Sequence, residues 1–274
     1  MSRYGQFHVA EPLGNMSLFH RHTGTPLHTA NHQPPLAVLE QENFGAQEID
    51  TSALIPGAPK VDALGNCVYN AGTAAVSCLG AVTYDRYLTA LGLSALGVSN
   101  FSDTKLAEEA AIIAYHRGTD LTGNTAQEWP PTDCGSSGVY LVQLLQSLGI
   151  VTSQRIAHGA QDIASLLQTS PVLVGGPFFN SWEEPDKFGF IDGNGSHADL
   201  QSAMRSGLAG GHERLSFAIE SISLTGTGQV IPEKTVLVDR NSWSKSWGDA
   251  GNYRVHLSTY VMLGAYMDFR ALVA

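Results

Sequence analysis

The chain has 274 residues, with 15 lysines and arginines against 25 aspartates and glutamates, for a formal net charge of −10. Apolar residues at 43% and charged residues at 15% are the balance of a globular chain able to bury a core, and exclude a disordered one. An acidic chain without a Lys/Arg stripe argues against a nucleic-acid partner, and no apolar run approaches the roughly 18–20 residues needed to cross a bilayer.

Residues Met1 to His8 lead into no apolar segment, so no secretory signal is evident; a cytoplasmic or virion-associated location is expected, and a mature form with its leader removed stays open. Six of the twelve prolines fall in residues 1–60, a stretch without sustained helical or strand periodicity. It reads as an irregular extension, either a pro-region or an arm that anchors the domain of residues 61–274 to a structural partner. Five of the ten histidines also lie there: His8, His20, His22, His28 and His32. Without carboxylates or cysteines in matching positions they read as loop histidines, so no metal and no cofactor is expected.

Helices come first in the domain. Small residues from Cys67 to Leu79 place Val68, Ala71, Ala75 and Cys78 on one helical face, and Cys78 reads as a small buried hydrophobe. Asp103 or Thr104 caps a second helix through Tyr115, with Leu106, Ala110, Ile113 and Ala114 inward. Asp133, Ser136 or Ser137 starts a third, striped by Val139, Val142, Leu145 and Leu148 and ended by Gly149. A shorter helix covers Gln161 to Gln168.

Strands follow. They are Pro171 to Val174, then Arg214 to Leu224 with the period-2 set Leu215, Phe217, Ile219, Ser221 and Ser223, then Thr235 to Val238, and last Tyr253 to Leu257. Glu183 and Glu184 read as a solvated loop and Asp199 as a helix cap. Helices first and antiparallel strands later is an α+β order, with the natural ligand site in a cleft between the two lobes.

Three cysteines without a CxxC spacing make neither a disulfide framework nor a thiolate metal site. Cys67 stands apart from the others. The turn Leu64-Gly65-Asn66 delivers it to a helix start, where the helix dipole favours a thiolate. A thiol nucleophile needs a base, and His212 in Gly210-Gly211-His212-Glu213, just ahead of the Arg214 strand, is the candidate. His197 is a rival after its own glycine turn, but no strand pattern follows it. Asn241, directly after an apolar strand, can accept the second imidazole N–H while Trp243 covers that bond from water.

Here the residues resemble a known family. Leu64-Gly65-Asn66-Cys67-Val68-Tyr69-Asn70-Ala71 is similar to the nucleophile segment of papain-like cysteine peptidases, in their bacterial and phage branch. Asp133-Cys134-Gly135-Ser136-Ser137 resembles the family's Gly-Ser-Ser helix start, and Pro171 to Gly175 the strand ahead of the histidine. Gly211-His212 and Asn241-Ser242-Trp243 through Trp247-Gly248 complete the order over roughly residues 60–260. The 145 residues between Cys67 and His212 fall within papain-type spacings of roughly 130–150.

The resemblance implies a two-lobed fold, a peptide or protein substrate, and a Cys67–His212–Asn241 triad working through a thioester. It also implies substrate contacts at Gly135, Ser136, Ser137 and Gly211, and an oxyanion site at the Cys67 N–H. The family's oxyanion glutamine stands six residues before the cysteine, and that position here is Val61, which cannot donate; Asn66, Asn70 or the extension is the candidate substitute. Ser244 stands where glycine is usual, and Glu213-Arg214 where the strand is usually apolar. Two other readings stay open: a catalytically degenerate papain-like structural or binding module, for example in a phage particle, and the same thiol chemistry used by an amidase acting on cell-wall peptides or by a transferase.

Overall fold

A computed structural model describes residues 26–32, 49–61, 63–93 and 104–274. Helix α1 spans Cys67–Cys78, α2 Ala81–Ala90, α3 Thr104–Asp120 and α4 Gly138–Ser147. The sequence pattern had missed α2 and had stopped α3 five residues early, at Tyr115. Ser137 caps α4 by accepting from the Val139 N–H.

Helix α1 does not present one apolar face. Every residue from Cys67 to Ser77 is buried, because Ala, Gly, Ser and Thr let neighbours approach from all sides. At Gly72 an added Cβ would lie 2.5 Å from a Leu141 methyl of α4. Thr73 and Ser77 spend their hydroxyls on the α1 carbonyls of Tyr69 and Ala74. Cys78, expected as core, is half-buried at the helix end, and its thiol donates to the His32 carbonyl. Burial pushes that thiol up to about 11.

The strands are β1 Ala30–Asn31, β2 Ile49–Asp50, β3 Lys60–Val61, β4 Ser153–Ile156, β5 Val172–Phe179, β6 Leu208–Ser221, β7 Val236–Arg240, β8 Asn252–His256 and β9 Asp268–Val273. Helices α5 (Gly159–Leu167), α6 (His197–Ser206) and α7 (Leu257–Leu263) connect them. Asp199, expected as a cap, is the third residue of α6 and completes a capping box with Ser196. The main sheet runs β4-β9-β5-β6-β7-β8, antiparallel throughout, with β1 added beside β6.

Both faces of this sheet are covered, which is why β5 and β6 are buried at consecutive residues and do not alternate. One face meets α1, α3 and α4 through Leu173, Leu215 and Phe217. The other packs Val172, Val174, Phe178, Leu237, Trp243, Tyr253 and Tyr260 with α5 and α7. The set Leu215, Phe217 and Ile219 was expected to share one face. A bulge between Ser216 and Ala218 shifts the phase by one residue and sends Ile219 to the opposite core.

Within the predicted N-terminal extension, β1 pairs with β6, and Ile55 and Ala58 enter the helical core. His32 bonds the Leu167 carbonyl through Nε2 at 2.6 Å. His8, His20 and His22 lie outside the described residues. Among the described residues no helix is long and apolar enough to cross a membrane, and no group of three His, Cys, Asp or Glu is placed to hold a metal.

Candidate active site

Cys67 is the first residue of α1, and the turn that delivers it is held from outside. The Gly65 N–H donates to both carboxylate oxygens of Asp133, at 3.1 and 3.0 Å. Tyr115 of α3 donates to the same carboxylate at 2.8 Å and accepts from the Gly135 N–H at 3.0 Å. The Ser136 hydroxyl meets the Tyr69 phenol at 2.9 Å. The segment from Asp133 to Ser137 therefore packs against the nucleophile turn. Ser136 and Ser137, expected to contact substrate, are buried and commit their hydroxyls to Tyr69 and to the α4 cap.

His212 sits inside β6, four residues past its start, not ahead of it; Gly211 beside it is half-buried and pairs with Pro177 of β5. The His212 Nε2 lies 2.7 Å from Asn241 Oδ1. The Ser242 backbone N–H donates to that same oxygen at 2.8 Å, so the amide must present its oxygen here and Nε2 must carry the proton. This leaves Nδ1 as the basic nitrogen of the neutral ring. Trp243 covers the pair with its ring 5.3 Å from the imidazole, and the Phe178 ring meets His212 edge-on at 5.1 Å. The next backbone group along β6, the Glu213 N–H, donates to the Cys67 sulfur at 3.4 Å.

Cysteine, histidine and asparagine, 67, 212 and 241 in the chain, are thus joined through two hydrogen bonds and one peptide unit. Cys67 and His212 are both 0% exposed, so this centre is enclosed. His197, the rival, is exposed at the start of α6 and faces Gln201.

The departures from the family pattern have physical explanations. Val61 is a core residue of β3. Asn66, in the cap position of α1, is fully buried, and neither side-chain polar atom has a hydrogen-bond partner among the described residues. Ser244 adopts the left-handed backbone at φ 74°, a conformation glycine would adopt freely, and its hydroxyl accepts from the Ser246 N–H.

Arg214 is buried behind His212. It donates to the His212 carbonyl and to Tyr260, while Asp239 accepts from Ser216, Tyr253 and Tyr260. Burial outweighs these bonds and raises the Asp239 carboxyl above its ordinary range. Glu213 points to the other face, beneath the start of α4. A Cβ on Gly138 would stand 3.6 Å from its Oε1 and 2.9 Å from Arg270 Nε, so any larger residue at position 138 would force the Arg270 side chain to move. Burial, and then the Asp268 charge, push Glu213 well above the usual carboxylate range. The sequence marked Glu213 only as a departure from the usual strand, with no role, and did not mark the Asp133 grip on Gly65. Charge in an otherwise apolar strand was the only signal for the first, and the second had none.

No family model matches the chain, and no curated protein matches it. Among solved structures, xylellain, a cysteine protease from Xylella fastidiosa, aligns over 100% of this chain and 96% of its own at TM-score 0.59 and 14% identity. The digestive procathepsin L 3 of Tenebrio molitor larval midgut aligns over 95% and 74% at 0.46 and 12%, and bromelain from Ananas comosus over 89% and 98% at 0.38 and 12%. At these identities the likeness is one of fold, and the xylellain alignment carries it. The chain has an α+β, papain-like fold.

Proposed function

We propose that the chain is a papain-like cysteine peptidase that hydrolyses peptide or isopeptide bonds without a cofactor. The observation that carries this reading is the His212–Asn241 bond at 2.7 Å, with the neighbouring Glu213 N–H on the Cys67 sulfur. In the proposed reaction His212 Nδ1 takes the thiol proton, and the sulfur adds to the scissile carbonyl. The C–N bond then breaks as the imidazolium protonates the leaving amine. Water, deprotonated by His212, cleaves the resulting thioester and releases the acid with the thiol restored.

The Cys67 N–H and the Asn66 amide would share the oxyanion, Asn66 standing in for the glutamine absent at position 61. Gly135 and Gly211 would contribute backbone to the substrate channel. Cys67→Ala and Cys67→Ser should each abolish peptidase turnover and epoxide labelling; turnover unchanged in either variant would sink the proposal.

A second reading has its own support. The sulfur is wholly enclosed, which favours a latent form opened by processing of residues 1–60, or a non-catalytic module. Labelling of Cys67 that appears only after limited proteolysis identifies the latent enzyme. Absence of labelling before and after identifies the module.

A further inference from the structure

Between α1 and the β6–β7 pair lies a cavity of about 20 Å³, bordered by Asn70, Glu213, Arg240, Asn241 and Ser242 and by the apolar Ala71, Ala74 and Leu215. That is enough room for one water and little else. Its polar neighbours are unusual. Asn70 Nδ2, both Glu213 carboxyl oxygens, Asn241 Nδ2 and the Ser242 hydroxyl are buried, and none has a hydrogen-bond partner among the described residues. The four residues are between 1% and 6% exposed. An unsatisfied buried polar atom is costly, and four residues carrying such atoms border this one small cavity, which points to a shared ligand.

Their chemistry specifies it. Two amide nitrogens donate, while a carboxyl oxygen and a hydroxyl oxygen accept, which matches the two lone pairs and two protons of water. A cation would face both amide N–H groups, and an apolar guest would satisfy none of the five atoms. The Asn241 amide cannot turn its oxygen inward, because His212 and the Ser242 N–H hold that oxygen on the other side.

We propose that this cavity binds a single water that ties the Asn241 amide to the Glu213 carboxyl, making Glu213 a positioning residue for the His212–Asn241 pair. Glu213 then acts on both ends of the proposed machinery, its N–H on the Cys67 sulfur and its side chain, through the water, on the asparagine that orients the base. The inference rests on the peptidase reading for its catalytic consequence only; the water site stands on the geometry.

Two measurements separate the two. A high-resolution crystal structure of the native chain should show one ordered water within hydrogen-bond distance of Asn241 Nδ2 and a Glu213 oxygen. An empty cavity, or a side chain filling it, overturns the proposal whatever the activity. In a chain whose turnover depends on Cys67, Glu213→Leu should raise the melting temperature, because an apolar side chain replaces a buried carboxyl, yet lower kcat about tenfold at unchanged KM. Glu213→Gln, which keeps both hydrogen-bonding functions, should recover most of that loss. Glu213→Leu with native kcat would refute the positioning role. If Glu213→Leu fails to fold, Ser242→Ala and Asn70→Leu each remove one partner of the water and must lower kcat in the same sense; native kcat in both refutes it equally.

Discussion

Replacing Asp133 by alanine tests how the nucleophile turn is held. The carboxylate accepts one bifurcated bond from the Gly65 N–H, at 3.1 and 3.0 Å, and one from the Tyr115 phenol at 2.8 Å. Hydrogen bonds to a charged group contribute about 1.5–3 kcal/mol each, and the half-buried position of Asp133 favours the lower end. Two such bonds give about 3 kcal/mol. Tyr115 is fully buried and would lose the acceptor of its phenol proton while still receiving the Gly135 N–H, so the loss is not recovered from solvent. For a chain of this size each kcal/mol moves the melting temperature by about 2–4 °C, so Asp133→Ala should melt about 6–12 °C lower. Asp133→Asn, which still offers one acceptor oxygen, should lose about half as much. Chemical denaturation with matched m-values is the assay. A cost of about 0.5 kcal/mol or less for Asp133→Ala, the usual range of an unremarkable surface change, would refute the reasoning.

Gly118→Ala should be among the more damaging single-methyl additions, because the new Cβ would lie 1.8 Å from the Tyr69 phenol oxygen, two residues beyond Cys67. A loss of about 1–3 kcal/mol is expected, and native stability by calorimetry would contradict the packing described. Stability should also depend on pH in a defined sense. Glu213 and Asp239 both hold their protons more tightly folded than unfolded, their ordinary values being 4.5 and 3.8. Their contribution is present in full below those values and is lost as pH rises toward the folded-state values, by about 1.4 kcal/mol per pH unit for each group still protonated. Urea titrations above pH 4.5 should therefore show a falling component that Glu213→Gln removes; identical slopes in the two proteins would exclude Glu213 as its source.

Much of the fold could be read locally. A helix start at Cys67, the Ser137 cap of α4 and the strands around Val172, Val236 and Tyr253 follow from turn residues and apolar runs that act over a few positions. Cys67 and Asn241 stood out for the same reason, one at a glycine turn and the other just past a strand, whereas His212 lies within β6 and not at the turn its glycines suggested. Periodicity failed where burial is two-sided. Helix α1 is packed on all faces, and β6 lies in the middle of a sheet covered above and below, so neither shows the polar–apolar contrast that pattern reading needs.

The bulge at Ser216–Ala218, which reassigns Ile219 to the opposite core, is set by pairing with β7 and has no local signature. Residues Gly65 and Asp133 are 68 positions apart, and Cys67 and Glu213 are 146. Such contacts exist only once the sheet and helices have closed on one another. The chain's own chemistry therefore determined which groups are available: a thiol at a helix tip, an imidazole, a carboxamide, a carboxyl in an apolar strand. Tertiary packing alone decided which of them touch, because distance in space between non-local residues is fixed by shared burial and not by their order in the chain.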